Sequence, residues 1–453
     1  MEFYDIKDVT IKQKIDRRFE MNRDCIEYRN YVSILKEELI PAMGCTEPIA
    51  VAYCAAVARE TLGTLPEKVD IFASGNIIKN VKSVVVPNTG GLRGIAAAAA
   101  AGILAGNPAK ELQVISEVTE EQKQEIDAFV QDTPIQISTT DSDLVFDLIV
   151  ELSGSGHSAR VRIANYHTNI VLIEKDGTVL RSATVEQDTD DDLTDRTFMT
   201  AETILDFAES VDLSEIQFLL DLQVKSNMAI AEEGLRGDYG ANIGKVLLKS
   251  FEDIASLQNE NSILLKCRAY AAAGSDARMS GCELPVIINS GSGNQGITAS
   301  VPVIVYAREA GISKERMDRA LVLSNLLAIY QKTPIGRLSA YCGVINAGTA
   351  AACGIAYLKG GDFNVIAHTL VNSLAISSGV ICDGAKASCA AKIALALDNA
   401  FLGYRMYENG QQFYGGDGIV KKGVDKMVSG VGRLGREGMR GTDKEILRIM
   451  LAD

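Results

Sequence analysis

A chain of 453 residues is longer than one ordinary hydrophobic core, so two domains are the starting expectation. Hydrophobic content of 47% with 40 Gly, 9 Pro and no Trp excludes a disordered chain and suits tightly packed Gly/Ala-rich helices. The net charge of −14 argues against nucleic-acid and anionic-membrane partners, because phosphate binding needs clustered Lys and Arg.

Residues 1–29 read as a polar lead-in, charged throughout and without the apolar core of an export signal. Residues 31–40 carry a helical pattern that stops before Pro41, and a second helix is predicted over 48–61 from the spacing of Ile49, Val51, Ala52, Ala55, Ala56 and Val57. Beyond Gly63, short β-branched runs at 69–73, 81–86, 113–115, 134–138, 146–152, 159–166 and 169–174 read as strands, with helices at 94–105 and 120–130. Lys175-Asp176-Gly177 is a hairpin turn signal, and the acidic run 188–192 suits an exit linker. From Asp195 onward the pattern is almost wholly helical. Asp212 with Glu215 resembles a capping box, and 313–332 and 365–380 are clear helices. The fold class expected is α+β: a mainly helical catalytic domain (30–64 and 195–453) interrupted by an inserted mixed α/β domain (65–194).

The most apolar run, 95–105, is far shorter than the ~20 residues that span a bilayer. The expected location is the cytoplasm, where nine cysteines are reduced and serve as buried, catalytic or metal-binding groups. Cys54 and Cys353 lie in apolar helical patterns and read as small buried hydrophobes. Cys282, in a loop-like context, is left without a role. Cys342, Cys382 and Cys389 stand at loop-to-helix junctions. On one straight helix, residues seven apart would be ~10.5 Å apart along the axis, but Gly384 lets the chain turn between Cys382 and Cys389. A cluster normally takes four thiolates, and three would leave one iron open as a Lewis acid. The spacing alone is not diagnostic, and structural and metal-binding roles both stay open.

Cys45 precedes Pro48, a residue suited to the first turn of a helix, which places the thiol near a helix N-terminus. The partial positive charge there favours thiolate, the form that acts as base or nucleophile, unless Glu47 points inward and opposes it. Two Gly-rich segments, 87–94 with Arg93 and 289–296 with its polar side chains, offer backbone N–H groups for a small anion, although each also serves as a tight turn. His157, His167 and His368 are scattered without zinc-ligand spacing and read as surface or core residues.

Three segments together resemble the L-cysteine desulfidase family, itself similar to the alpha-chain region of iron–sulfur L-serine dehydratases. They are Pro41-Ala42-Met43-Gly44-Cys45-Thr46-Glu47-Pro48, Gly291-Ser292-Gly293-Asn294-Gln295-Gly296 and Cys382-Asp383-Gly384-Ala385-Lys386-Ala387-Ser388-Cys389. The resemblance implies a 4Fe-4S cluster on Cys342, Cys382 and Cys389, a catalytic base at Cys45, and conversion of L-cysteine to pyruvate, ammonia and sulfide. In that scheme the open iron binds the substrate carboxylate and the leaving group, and Ser290, Ser292, Asn294 and Gln295 orient the small amino acid. Apolar Gly/Ala helices suit a homo-oligomer.

Serine with hydroxide as leaving group is the alternative substrate. Two rivals remain: a pyridoxal-phosphate dehydratase, for which Lys266 and the 291–296 loop are a faint echo without a downstream phosphate cup, and a non-catalytic iron–sulfur amino-acid-binding relative.

Overall fold

The computed structural model describes residues 21–142, 144–185, 193–257 and 259–452, so the acidic run 188–192 lies outside the described residues. The fold is α+β and mostly helical, with two sheets. Among the described residues no helix is long and apolar enough to cross a membrane.

The strands are β1 (Pro41–Met43), β2 (Lys68–Ala73), β3 (Ile135–Thr139), β4 (Asp147–Gly154), β5 (His157–Ala164), β6 (Ile170–Lys175), β7 (Thr178–Ser182) and β8 (Pro285–Ile287). Six of them form one sheet in the order β3-β2-β4-β5-β6-β7, in which β2 and β3 run parallel and the other neighbours antiparallel. Asp176 and Gly177, both at positive φ, make the tight turn between β6 and β7 that the sequence signalled. Helix Thr46–Leu62 packs on β4, β5 and β6 and, on its other side, on the Ala-rich helix Gly94–Ala105. That crossing is close: a Cβ on Gly102 would lie 2.0 Å from the Ala52 carbonyl oxygen. Burial on both sides explains why helix Thr46–Leu62 is apolar around nearly its whole circumference.

The C-terminal helices surround Gly293–Glu309, which is buried from Gly293 to Ala307 and packs against Glu260–Met279, Lys314–Lys332 and Gly343–Leu358. It begins inside the polar loop 289–296, at Gly293. Gly296 lets the helix lie against β8, since a Cβ there would lie 2.0 Å from the Ile287 carbonyl oxygen. The second sheet is a ribbon of two short strands, β1 and β8, paired Pro41↔Ile287, Ala42↔Val286 and Met43↔Pro285. It ties the start of helix Thr46–Leu62 to the start of helix Gly293–Glu309.

Several local expectations differ from the structure. The first helix is Ile26–Glu38, begun early because the Cys25 sulfur accepts from the Tyr28 amide at 3.4 Å. Residues 81–86 are the end of helix Gly75–Val81 and a loop. There Val86 N bonds Leu92 O at 2.9 Å, so the chain pairs back on itself across the 87–92 turn instead of joining a sheet. Residues 113–115 leave a 3-10 turn, Pro108–Gln113, which Asn107 caps through the Ala109 amide at 3.2 Å. Asp212 caps only the short turn Leu213–Glu215, while Glu215 accepts from the Tyr28 hydroxyl at 2.7 Å and the long helix starts at Gln217.

Candidate active site

Beyond β1, Gly44 at φ +54 turns the chain where a Cβ would lie 2.5 Å from Pro87 Cγ, and Cys45 becomes the N-cap of helix Thr46–Leu62. Its thiol does not cap the helix. It donates to Glu47 Oε2 at 3.0 Å, and both side chains are buried. Glu47 also accepts from Asn80 Nδ2 at 2.9 Å on its other oxygen. The Thr46 hydroxyl lies 3.1 Å from Glu47 Oε2 and 2.9 Å from the Gly291 carbonyl. Burial, and then the Glu47 carboxylate, hold the Cys45 thiol well above its ordinary pKa, with Arg278 opposing weakly. Burial favours the neutral acid for Glu47 as well, yet His167, the Cys45 thiol bond and Arg278 bring its net pKa below the usual carboxylate range. Cys45 therefore stands where the sequence put it, but at rest it is a thiol beside an ionised Glu47 that points inward.

The loop at 289–292 is a tight reversal in which Asn289 and Ser292 bridge each other and Ser290 and Gly291 take positive φ. The Ser290 hydroxyl donates to Asn289 Oδ1 at 3.0 Å, and the Asn289 amide is anchored on Asn325. Ser292 caps Gly293–Glu309 without a side-chain bond, and Asn294 Nδ2 reaches the Met279 sulfur at 3.6 Å. Asn294 Oδ1 and Gln295 Oε1 are buried with no hydrogen-bond partner. Gln295 lies across Gly343, where a Cβ would come within 2.6 Å of its Cδ. Gly343 adjoins Cys342, so this loop faces the Cys45 segment at Gly291 and the cysteine segment at Gln295.

Cys342 is the N-cap of helix Gly343–Leu358, and Cys389 lies in the first turn of Ser388–Glu408. Cys342 N bonds Val380 O at 3.1 Å and Cys382 N bonds Ala340 O at 2.6 Å, which sets these two side by side. Gly384, at φ +96, turns the chain toward Cys389, whose sulfur lies 3.6 Å from the Gly384 carbonyl. A Cβ on Gly384 would lie 2.4 Å from Lys79 O and 3.6 Å from Asn80 Cα, so this turn rests on the residue that holds Glu47. Burial first, then Cys382 and Cys389, push the Cys342 thiol up to about 12, and Lys392 opposes. Burial also raises Cys389, with Lys392 and Lys386 nearby.

Among the described residues no three His, Cys, Asp or Glu side chains converge on one metal ion. The donor set suits a group that takes each sulfur on a separate iron, and the nearby lysines offset thiolate charge. Cys342, Cys382 and Cys389 supply the thiol chemistry that an iron–sulfur group takes.

The sequence missed several titratable members of the site. His167, read there as background, is buried with Nε2 unpartnered. Its ring packs on Phe146, and its Cε1 is 3.3 Å from where a Gly291 Cβ would stand. Burial pushes its pKa down to about 4, partly offset by Glu47, so it is neutral near pH 7. Arg278, buried with Nε unpartnered, lies under Gly293; a charged residue ending an Ala-rich helix was a signal the sequence did contain. A small cavity of about 20 Å³ is lined by Glu38, Arg196, Ser290, Lys332, Thr333, Gly336 and Arg337. Burial pushes the Lys332 ammonium down to about 8, and Cys382 and Cys342 pull it back up. Cys282 is buried against Tyr239. Cys54 and Cys353 are fully buried, as expected of small hydrophobes.

Known proteins are similar to this chain over most of its length. Residues 109–448, which include the 289–296 loop and all three junction cysteines, match the family model described as serine dehydratase alpha chain. The chain is 54% identical over 431 residues to a UPF0597 protein of Desulfitobacterium hafniense, covering 95% of this chain and 98% of that one. It is 44% identical to a UPF0597 protein of Treponema denticola, over 96% of this chain and all of the relative. A UPF0597 protein of Bacteroides thetaiotaomicron is 38% identical over 94% of this chain and 98% of its own length. This chain belongs to the serine dehydratase alpha-chain family.

Proposed function

We propose that the protein is a lyase that eliminates the β-substituent of a small L-amino acid, with L-cysteine as substrate and pyruvate, ammonia and sulfide as products. The observation that carries this reading is the loop 289–296. It touches the Cys45–Thr46–Glu47 segment through the Gly291 carbonyl and the cysteine segment through Gln295, so one small molecule can face both.

Cys342, Cys382 and Cys389 would hold a 4Fe-4S cluster, which when bound supplies a Lewis acid for the departing sulfide. Cys45 serves as the proton acceptor for the α-carbon. A free thiolate is costly in its buried setting, so the proton reaching the Cys45 sulfur is matched by transfer of the thiol proton to Glu47, and no buried thiolate accumulates. Asn80 and Thr46 fix the receiving carboxylate. Asn294 and Gln295 bring unpartnered buried oxygens that suit a substrate ammonium, and Ser290 and Ser292 shape the turn around it. Loss of the β-sulfur with its bonding pair leaves aminoacrylate, which tautomerises to the imine and takes up water to give pyruvate and ammonia.

The family match favours a second reading on the same residues, in which L-serine is the substrate and water leaves. The experiment is anaerobic purification, iron and sulfide quantification, and pyruvate assays with L-cysteine beside L-serine. Faster turnover of L-cysteine supports the first reading and faster turnover of L-serine the second. Iron-loaded protein inert toward both sinks the two together.

A further inference from the structure

The cavity beneath Ser290 has an unusual charge balance. Glu38, 1% exposed, accepts from Arg196 Nη2 at 2.6 Å and Arg337 Nη2 at 2.9 Å on the same oxygen. Arg196 also lies 3.5 Å from Glu37, yet its Nε is buried without a partner. Lys332 is 4% exposed and has no ion pair or side-chain hydrogen bond among the described residues. A buried ammonium with no carboxylate beside it is costly, and Cys382 and Cys342 offset that cost only in part, so an anion in the cavity is favoured. The cavity volume of about 20 Å³ exceeds the ~10–15 Å³ that admits a single water and suits the two oxygens of one carboxylate.

The cavity and the Cys45–Glu47 pair share one short stretch of backbone. Ser290 lines the cavity, and Arg337 Nη1 lies 3.1 Å from where a Gly291 Cβ would stand. The Gly291 carbonyl is the acceptor for Thr46, next to Cys45. We propose that this cavity is a carboxylate subsite in which Lys332, backed by Arg337, grips the α-carboxylate of the amino acid and so presents its α-carbon to Cys45. An uncharged carboxamide leaves the ammonium unpaired. The inference rests on the amino-acid reading above, and it moves recognition of the carboxylate from the iron, where the family resemblance placed it, to a side chain of the helix Lys314–Lys332.

The test uses the anaerobically purified protein and L-alanine, which has the substrate's carboxylate and ammonium but no leaving group, with L-alaninamide as control. Isothermal titration should show wild type preferring L-alanine. Lys332→Met should lose about tenfold or more in L-alanine affinity, as expected for one charge-assisted bond, while iron content and melting temperature are retained. Lys332→Arg should keep the preference for L-alanine. Equal affinity of wild type and Lys332→Met for L-alanine overturns the proposal, as does a wild type blind to the amide. Loss of iron from Lys332→Met with L-alanine affinity intact also overturns it, because the ammonium then serves only the thiolates. Lys332-dependent L-alanine binding in a protein that eliminates neither amino acid supports the subsite and removes only the reaction.

Discussion

The Cys45 thiol and the Glu47 carboxylate, both buried at the start of one helix, share a hydrogen bond of 3.0 Å in which sulfur is the donor. The helix end that should favour thiolate therefore meets burial first and a negative charge at close range second, and together they keep the proton on sulfur. Glu47→Gln removes the repulsion while keeping the shape. The Cys45 pKa should fall, so that its labelling by iodoacetamide, followed by peptide mass spectrometry, rises at lower pH than in wild type. With the proton sink gone, kcat should drop by about 10²–10⁴-fold with KM little changed. Unchanged turnover in Glu47→Gln would take the carboxylate out of proton transfer.

His167 gives the native state a defined acid sensitivity. Its folded pKa, about 4, lies below the ordinary 6.5, so between these values the unfolded chain binds more protons than the folded one. Stability therefore rises with pH across this window and is lost on acidification from about 6.5 toward 4, with a limiting loss of about 3 kcal/mol from this group. Urea denaturation at pH 7 and pH 5 should show a smaller difference for His167→Gln than for wild type. Equal pH dependence in both proteins would mean that folding leaves the His167 pKa unshifted.

How much of this site the sequence disclosed follows from the range of the interactions. Pro48 marked the helix start, so the position of Cys45 was legible, and Gly384 marked the turn between Cys382 and Cys389. The ribbon of β1 and β8 was not legible, because three-residue strands carry no measurable alternation and their partners are remote in sequence. His167 and Lys332 gave no local signal at all. Each becomes part of the site only because a strand end or a helix end is carried there by packing. The runs 81–86 and 113–115 misled for the converse reason: their β-branched residues are buried by loops that close on themselves.

Gly384→Ala tests how the cysteine turn is seated. The residue sits at φ +96, and a methyl group would meet the Lys79 carbonyl oxygen at 2.4 Å, a backbone atom that cannot rotate away. Strain and overlap together should cost about 2–4 kcal/mol of stability. Because the same turn spaces Cys382 from Cys389 and rests on Asn80, iron content and turnover should both fall. Gly379→Ala, which meets nothing within 4 Å, is the control and should leave both unchanged. A stable, iron-loaded Gly384→Ala protein would show that the turn can move without consequence.

The ligand assignment separates cysteines that the fold uses differently. Cys54 donates to the Val161 carbonyl at 3.5 Å within the packing of helix on sheet, and Cys353 lies in the same way 3.6 Å from the Ile366 carbonyl. Replacing Cys54 by Ala removes a small buried side chain and a weak bond, so about 1 kcal/mol of stability should go and the iron should stay. Cys342, Cys382 and Cys389 instead stand at neighbouring loop-to-helix junctions, where Cys382 bears on the thiols of Cys342 and Cys389 and Lys392 opposes. Ala at any of the three leaves two sulfurs, too few to hold an iron–sulfur group against loss to solvent. Metal analysis of anaerobically purified Cys382→Ala should find iron near background while Cys54→Ala matches wild type. Iron retained in full by Cys382→Ala would move the metal site elsewhere and leave Cys45 with no Lewis acid to work against.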